Sequence, residues 1–169
     1  HAEFGIRIIM GDYLGAYTIG SGASWHAGTD YRDPEQRNKM LTVLSNLVMD
    51  HKDEPYVLMW LLGNENNLNS GHDEVNATRT QAWKYPQAYA RFLNACALMI
   101  HKLDPDHPVA VGNADLPLVA SYSKHAGEVD ILGVNAYRGA GGFGTLWKEA
   151  ARLWDRPLLV TEYGCDAWD

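Results

Sequence analysis

Tyr56-Val57-Leu58-Met59-Trp60-Leu61-Leu62-Gly63-Asn64-Glu65 is the stretch from which the fold is read. Its apolar run shows no polar alternation, which marks a strand covered on both faces. Gly63 stops the run, and two polar residues follow at once. Upstream, Asp33-Pro34-Glu35-Gln36 opens a helix, with Asp33 as N-cap, proline in the first turn and Gln36 at the capping-box position. Met40, Leu41, Leu44, Leu47 and Val48 then recur at helical spacing, and Pro55 lies beyond the helix end. Downstream, a second helix runs from about Pro86 to Leu103, with Tyr89, Phe92, Leu93, Cys96, Ile100 and Leu103 as its inner stripe.

The same alternation extends to both ends. Phe4–Met10 reads as a strand closed by Gly11-Asp12, and a long glycine-containing loop, 13–32, follows it. Val109–Val111, Val129–Asn135 and Pro157–Glu162 read as three further strands, with helices over 116–125 and 143–154 between them. Five strands alternating with four helices imply a parallel sheet covered by its crossovers, in one α/β domain spanning 1–169. An open doubly wound sheet and a (β/α)8 TIM barrel both fit. No G-x-G-x-x-G follows the first strand, and the cluster Gly139, Gly141, Gly142, Gly144 has neither phosphate-loop spacing, so it reads as a loop.

Composition narrows the function. Net charge is −7, with no basic run, which argues against nucleic acid or an anionic membrane surface as partner. There is no apolar run of about 18 residues and no basic-then-apolar leader. The missing initiator Met suggests a piece of a longer chain, so the compartment is left open. Cys96 and Cys165 are not spaced for a disulfide framework; Cys96 reads as a buried thiol and Cys165 as packing at a strand end. No ligand spacing indicates a metal, no cofactor is called for, and no serine elbow suggests a hydrolytic triad.

Polar residues gather after the strands: Asp12 and Tyr13, Asn64 and Glu65, Asn113 and Asp115, then Asn135, Tyr137 and Arg138, then Glu162 and Tyr163. Barrel enzymes build their sites at that face. Two of these residues are glutamates on well-separated strands, and glycosidic bond cleavage uses a pair of carboxyl groups. Trp25, His26, Asn66 and Asn67 lie on loops at the same mouth, where aromatics and amides suit sugars. His26 and His72 read more simply as surface histidines. Trp60, Trp83, Trp147 and Trp154 read as core or shell.

These motifs resemble a known family. Trp60-Leu61-Leu62-Gly63-Asn64-Glu65-Asn66 looks like the fourth-strand signature of glycoside hydrolase clan A. Leu159-Val160-Thr161-Glu162-Tyr163-Gly164 resembles the seventh-strand motif in its family 2 form, and Gly133–Gly139 resembles the sixth strand of that family. The resemblance implies a partial TIM barrel covering strands 3 to 7, truncated at both ends. It implies Glu65 as acid/base, Glu162 as nucleophile, Asn64 as partner of the sugar 2-hydroxyl, and Tyr137 as donor to the nucleophile, keeping it ionised. It also implies a carboxyl separation of about 5–5.5 Å, the retaining geometry. Asp12, Asn135, Arg138 and Trp25 are further candidate substrate contacts.

The expected reaction is retaining hydrolysis of a β-linked carbohydrate, such as a β-galactoside, β-glucuronide or β-mannoside. A glucan transglycosylase with the same carboxylates and a non-catalytic carbohydrate-binding barrel are the alternatives. The missing barrel strands and accessory β-domains of a parent chain are the expected partners. A whole barrel has eight strands in ~250 residues. Five strands leave two open edges, so the isolated segment is expected to be unstable and inactive.

Overall fold

The computed structural model describes residues 1–68 and 78–164. His72 and Cys165 lie outside them. In chain order the elements are β1 (Ile8–Asp12), α1 (Pro34–His51), β2 (Val57–Leu62), α2 (Pro86–Leu103), β3 (Val109–Ala114), α3 (Val119–His125), β4 (Ile131–Ala136), α4 (Leu146–Ala150) and β5 (Leu158–Tyr163). All four strand pairings are parallel, in the order β1-β2-β3-β4-β5. A doubly wound sheet reverses its strand order at a switch point. Here the order never reverses, and the sheet curls as part of a (β/α)8 barrel.

Asp33 caps α1 through its Oδ1, which accepts from the Glu35 and Gln36 amides at 2.8 and 3.2 Å. Gln36 does not complete the capping box: its Oε1 accepts from the Asp30 amide at 2.9 Å, tying the preceding loop to the helix. Met40, Leu44 and Val48 of α1 are buried, as are Tyr89, Phe92, Leu93, Cys96 and Ile100 of α2. They cover Trp60, Leu62, Val109, Val111, Leu132 and Val134 from the sheet. Burial pushes the Cys96 thiol pKa upward, which makes it an unreactive packing group.

The first strand begins later than its apolar pattern predicts. Phe4 and Ile6 are 73% and 63% exposed, residues 1–5 turn back through the Gly5 amide to the His1 carbonyl, and pairing starts at Ile8. The strand continues through Gly11 because a side chain there would collide with the Leu61 carbonyl oxygen, 2.2 Å from the position of a Cβ. Likewise β3 runs past Val111, since Gly112 lets the Gly63 carbonyl approach. Both strands thus deliver their ends, Asp12 and Asn113-Ala114, to the same rim. The last two helices are shorter than expected, and Trp147 of α4 faces solvent while Trp154, just beyond it, is buried.

At the opposite rim, the Trp60 indole donates to Asp104 Oδ2 at 2.8 Å, and His107 Nδ1 lies 2.8 Å from the same oxygen. Burial alone would raise the Asp104 pKa, but bonds from Trp60 and His107 outweigh it and hold the carboxylate low. Trp60→Phe removes a donor to a buried charge and leaves a void. It should cost about 2–3 kcal/mol in chemical denaturation, whereas Trp147→Phe should stay within about 0.5 kcal/mol.

Candidate active site

The rim holding the C-terminal strand ends encloses a cavity of about 350 Å³ lined by Gly11, Asp12, Tyr13, Leu61, Gly63, Asn64 and Glu162. Its shape starts at Gly63. With φ at +73°, and Asn66 Oδ1 and the Tyr89 hydroxyl 2.8 and 3.0 Å from where a Cβ would sit, only glycine fits there. The chain then swings Asn64 and Glu65 inward. Glu65 itself adopts φ +56°, a conformation that strains a side-chain-bearing residue by about 1–2 kcal/mol. Fixed bonds impose it: the Glu65 amide donates to the Gly112 carbonyl at 3.0 Å, and its carbonyl accepts from the Leu68 amide at 2.9 Å. Strain of this kind concentrates at functional sites.

Two buried asparagines after Glu65 lock the rim. Asn66 Nδ2 donates to the Tyr13 and Leu14 carbonyls and to the Tyr31 hydroxyl, while its Oδ1 accepts from the Asn64 amide. Asn67 pairs with the backbone of Ala114 in both directions, Nδ2 to O and N to Oδ1, each at 2.8 Å. Both are therefore cross-braces between strand ends.

Asn135 and Tyr137, at the end of β4 and just beyond it, join the two glutamates. Asn135 Nδ2 donates to Glu65 Oε1 at 3.0 Å and lies 3.4 Å from Asn64 Oδ1. The Tyr137 hydroxyl donates to Glu162 Oε2 at 2.9 Å. The amide of Asn135 is oriented by Thr161, whose hydroxyl donates to Asn135 Oδ1 at 2.7 Å. Thr161 reaches it through a register shift: Val134 pairs with Val160 but Asn135 with Glu162. Such irregularities re-aim side chains beside active sites.

Burial raises the Glu65 pKa. The bond from Asn135 opposes this, and the neighbouring Glu162 charge adds to it. Asp12 is raised as well, by burial, against a bond from the Leu14 amide. The structure thus brings Asp12, Asn64, Glu65, Asn135, Tyr137 and Glu162 together. It places Arg138 and Trp25 elsewhere. Arg138 makes a two-pronged ion pair with Asp115, at 2.9 and 2.6 Å, and reaches Glu149 at 3.2 Å. Trp25 lines a second cavity.

Two residues that the sequence pattern does not single out join the set. Thr161 sits inside an apolar strand, and its role depends on the register shift. Tyr17 lies in the long loop at φ +55°, where its hydroxyl meets Asn64 and senses the charges of Glu65 and Glu162. Among the described residues no group of three or more His, Cys, Asp or Glu gathers as a metal site.

Residues 9–169 match the sequence profile described as "Glycosyl hydrolases family 2, TIM barrel domain". The chain belongs to glycoside hydrolase family 2. No curated protein matches it, but solved structures share the fold. A β-D-glucuronidase from Dictyoglomus thermophilum aligns at TM-score 0.59 and 18% identity, over 90% of this chain and 26% of that one. The endo-β-1,4-mannanase of Thermotoga petrophila aligns at 0.55 and 20%, over 83% and 38%. A Bacteroides uniformis β-glucuronidase aligns at 0.60 and 20%, over 78% and 16%. The family 2 segment therefore spans less than half the length of each of these three chains.

The Tyr137 hydroxyl is a direct donor to the Glu162 carboxylate. Tyr137→Phe removes one bond to a charged group, and with Glu162 in the catalytic role proposed below it should lower kcat of the complete protein roughly tenfold. Steady-state rates on an aryl β-glycoside would measure this, with circular dichroism to confirm an intact fold.

Proposed function

We propose that this segment, completed by further barrel strands, catalyses retaining hydrolysis of β-linked O-glycosides. Glu162 attacks the anomeric carbon while Glu65 gives its proton to the departing oxygen. Glu65 then takes a proton from water, which attacks the same carbon from the face the leaving group vacated and frees Glu162. Two displacements return the original anomeric configuration. Asn64 would hold the sugar 2-hydroxyl, and the retaining reading expects the carboxyl groups about 5–5.5 Å apart.

One observation carries the reading: β4 and the residues just beyond it tie the two glutamates into one site, Asn135 on Glu65 and Tyr137 on Glu162. The raised Glu65 pKa supports the acid role, because a general acid must still hold its proton near working pH. The named activities of the structural relatives, glucuronidase and mannanase, point to β-glucuronides and β-mannosides as the first substrates to try. The test is proton NMR of the complete protein acting on an aryl β-glycoside. The first-formed free sugar should be the β anomer. A first-formed α anomer would mean inversion and rule the mechanism out.

A further inference from the structure

Leu158-Leu159-Val160 runs apolar, and Thr161 breaks the pattern one residue before Glu162. Plain strand alternation would send Thr161 and Glu162 to opposite faces. The register shift sets that aside: Val134 pairs with Val160 and Asn135 with Glu162, so Thr161 is the extra residue between paired positions. Gly133 leaves room for it, since a Cβ there would stand 3.0 Å from the Thr161 methyl carbon. The Thr161 hydroxyl is thereby brought to Asn135 Oδ1, 2.7 Å away.

Asn135 is 4% exposed, so both ends of its amide need partners. Oδ1 has Thr161. Nδ2 donates to Glu65 Oε1 at 3.0 Å and lies 3.4 Å from Asn64 Oδ1. The two ends are not interchangeable. Turned round, the amide would set an oxygen against Glu65 Oε1 and Asn64 Oδ1, and only a protonated Oε1 could bond to it. As it stands, Oε1 accepts a proton from the amide, and any proton that Glu65 carries belongs on Oε2.

Glu65 needs that donor. Burial and the Glu162 charge both favour its protonated form, and the Asn135 bond opposes them. The titratable groups that face Glu65 are Glu162 from β5 and Tyr17 from the loop after β1. Neither carries a positive charge that would favour the carboxylate. The Gly112 carbonyl of β3 meets the Glu65 amide and not its side chain. Among the described residues, Asn135 is the group that holds the carboxylate form within reach.

We propose that Thr161 is a positioning residue for the acid/base. By occupying Asn135 Oδ1 it keeps the NH2 end of that amide on Glu65, and so keeps the carboxylate available for the step in which Glu65 takes a proton from water. It acts through Asn135 alone. The purpose rests on the acid/base reading of Glu65, but the titration that tests it does not depend on turnover.

The test is a carbon-13 NMR titration of the complete protein labelled at glutamate Cδ, with the Glu65 signal identified by its loss in Glu65→Gln. Asn135→Ala removes a bond to the charged form and should move the Glu65 midpoint up by about one unit or more. Thr161→Val leaves Oδ1 without its donor and should move the midpoint up by about half a unit or more. Thr161→Ser keeps a hydroxyl and should recover most of that shift. Adding Thr161→Val to Asn135→Ala should change nothing further. On an aryl β-glycoside, the alkaline limb of kcat/KM should follow the midpoint upward in Thr161→Val, while the acid limb stays in place.

A Glu65 midpoint that Thr161→Val leaves unmoved, with only the melting temperature lowered, would reduce Thr161 to packing and overturn the proposal. Equal shifts in the valine and serine variants, or a further shift in the double variant, would overturn it too. Should Thr161→Val fail to fold, Thr161→Ala set against Thr161→Ser makes the same comparison. The catalytic reading fails by a different measurement. Absence of aryl β-glycoside turnover by the unmutated protein would overturn the hydrolase, and the NMR shifts would still decide whether Thr161 holds Asn135 on Glu65.

Discussion

Glu162→Gly in the complete protein should lower kcat/KM on aryl β-glycosides by on the order of 10⁴-fold or more, the loss typical of removing a nucleophile. The cause is specific. Glu162 projects from the end of β5, held at Oε2 by Tyr137. Under the proposed mechanism, no glycosyl-enzyme bond would form without its carboxylate, while Glu65 would still protonate a leaving group. Azide should then enter the vacated space, attack from the face that Glu162 occupied and yield an α-glycosyl azide. A variant that kept most of its activity without azide would remove Glu162 from the reaction.

Glu65→Gln should show a different loss, one that depends on the substrate. With poor leaving groups the rate should fall by about 10²–10⁴-fold, the usual contribution of a positioned proton donor. With a dinitrophenyl leaving group, which departs without a proton, bond cleavage should be nearly unaffected and release of the glycosyl-enzyme should become limiting. The pH profile should change with it. Burial holds the Glu65 pKa above the usual glutamate value, so the alkaline limb of kcat/KM should lie above that value and disappear in Glu65→Gln.

Stability should move the opposite way to activity. Glu65 has a folded pKa above its unfolded one, so the folded state holds more protons between the two values. Stability is therefore lost as pH rises from the unfolded value through the folded one. Glu65→Gln removes that penalty. Its melting temperature should exceed the parent's above this window and converge with it below the usual glutamate pKa. A gain at neutral pH combined with a collapse in rate is the mark of a strained, desolvated catalytic group.

The fold was legible because every strand is apolar on both faces and every crossover has a helical stripe. Five strands and four helices follow from that pattern alone. What separates a curled barrel from a doubly wound sheet is strand order, which periodicity does not encode; the clan A motifs carried that step. Boundaries failed where glycine misled. Gly11 and Gly112 looked like strand ends, yet each lies inside a strand because a neighbouring carbonyl presses against it.

At the site, the glutamates and their strand-end neighbours were visible because they break apolar runs. The division of labour among the amides was not. Asn64, Asn66 and Asn67 are near neighbours in one short segment, yet Asn64 faces the cavity while the other two brace the rim through bonds to residues far away in the chain. Arg138 looked like a substrate contact, but the Asp115 carboxylate that claims it comes from the loop after a different strand. Trp83 looked like packing before a helix. It is half exposed, just before α2, in a stretch that the Thr29–Thr80 bridge ties to the loop after β1.

The most direct measurement is peptide mapping of the complete protein after turnover of a 2-deoxy-2-fluoro aryl β-glycoside, whose fluorine slows hydrolysis of any covalent intermediate. One fluoroglycosyl group is expected on the peptide containing Glu162, as an ester of that side chain. A label on Glu65, or turnover that leaves every carboxylate unlabelled and releases the α sugar, would contradict it.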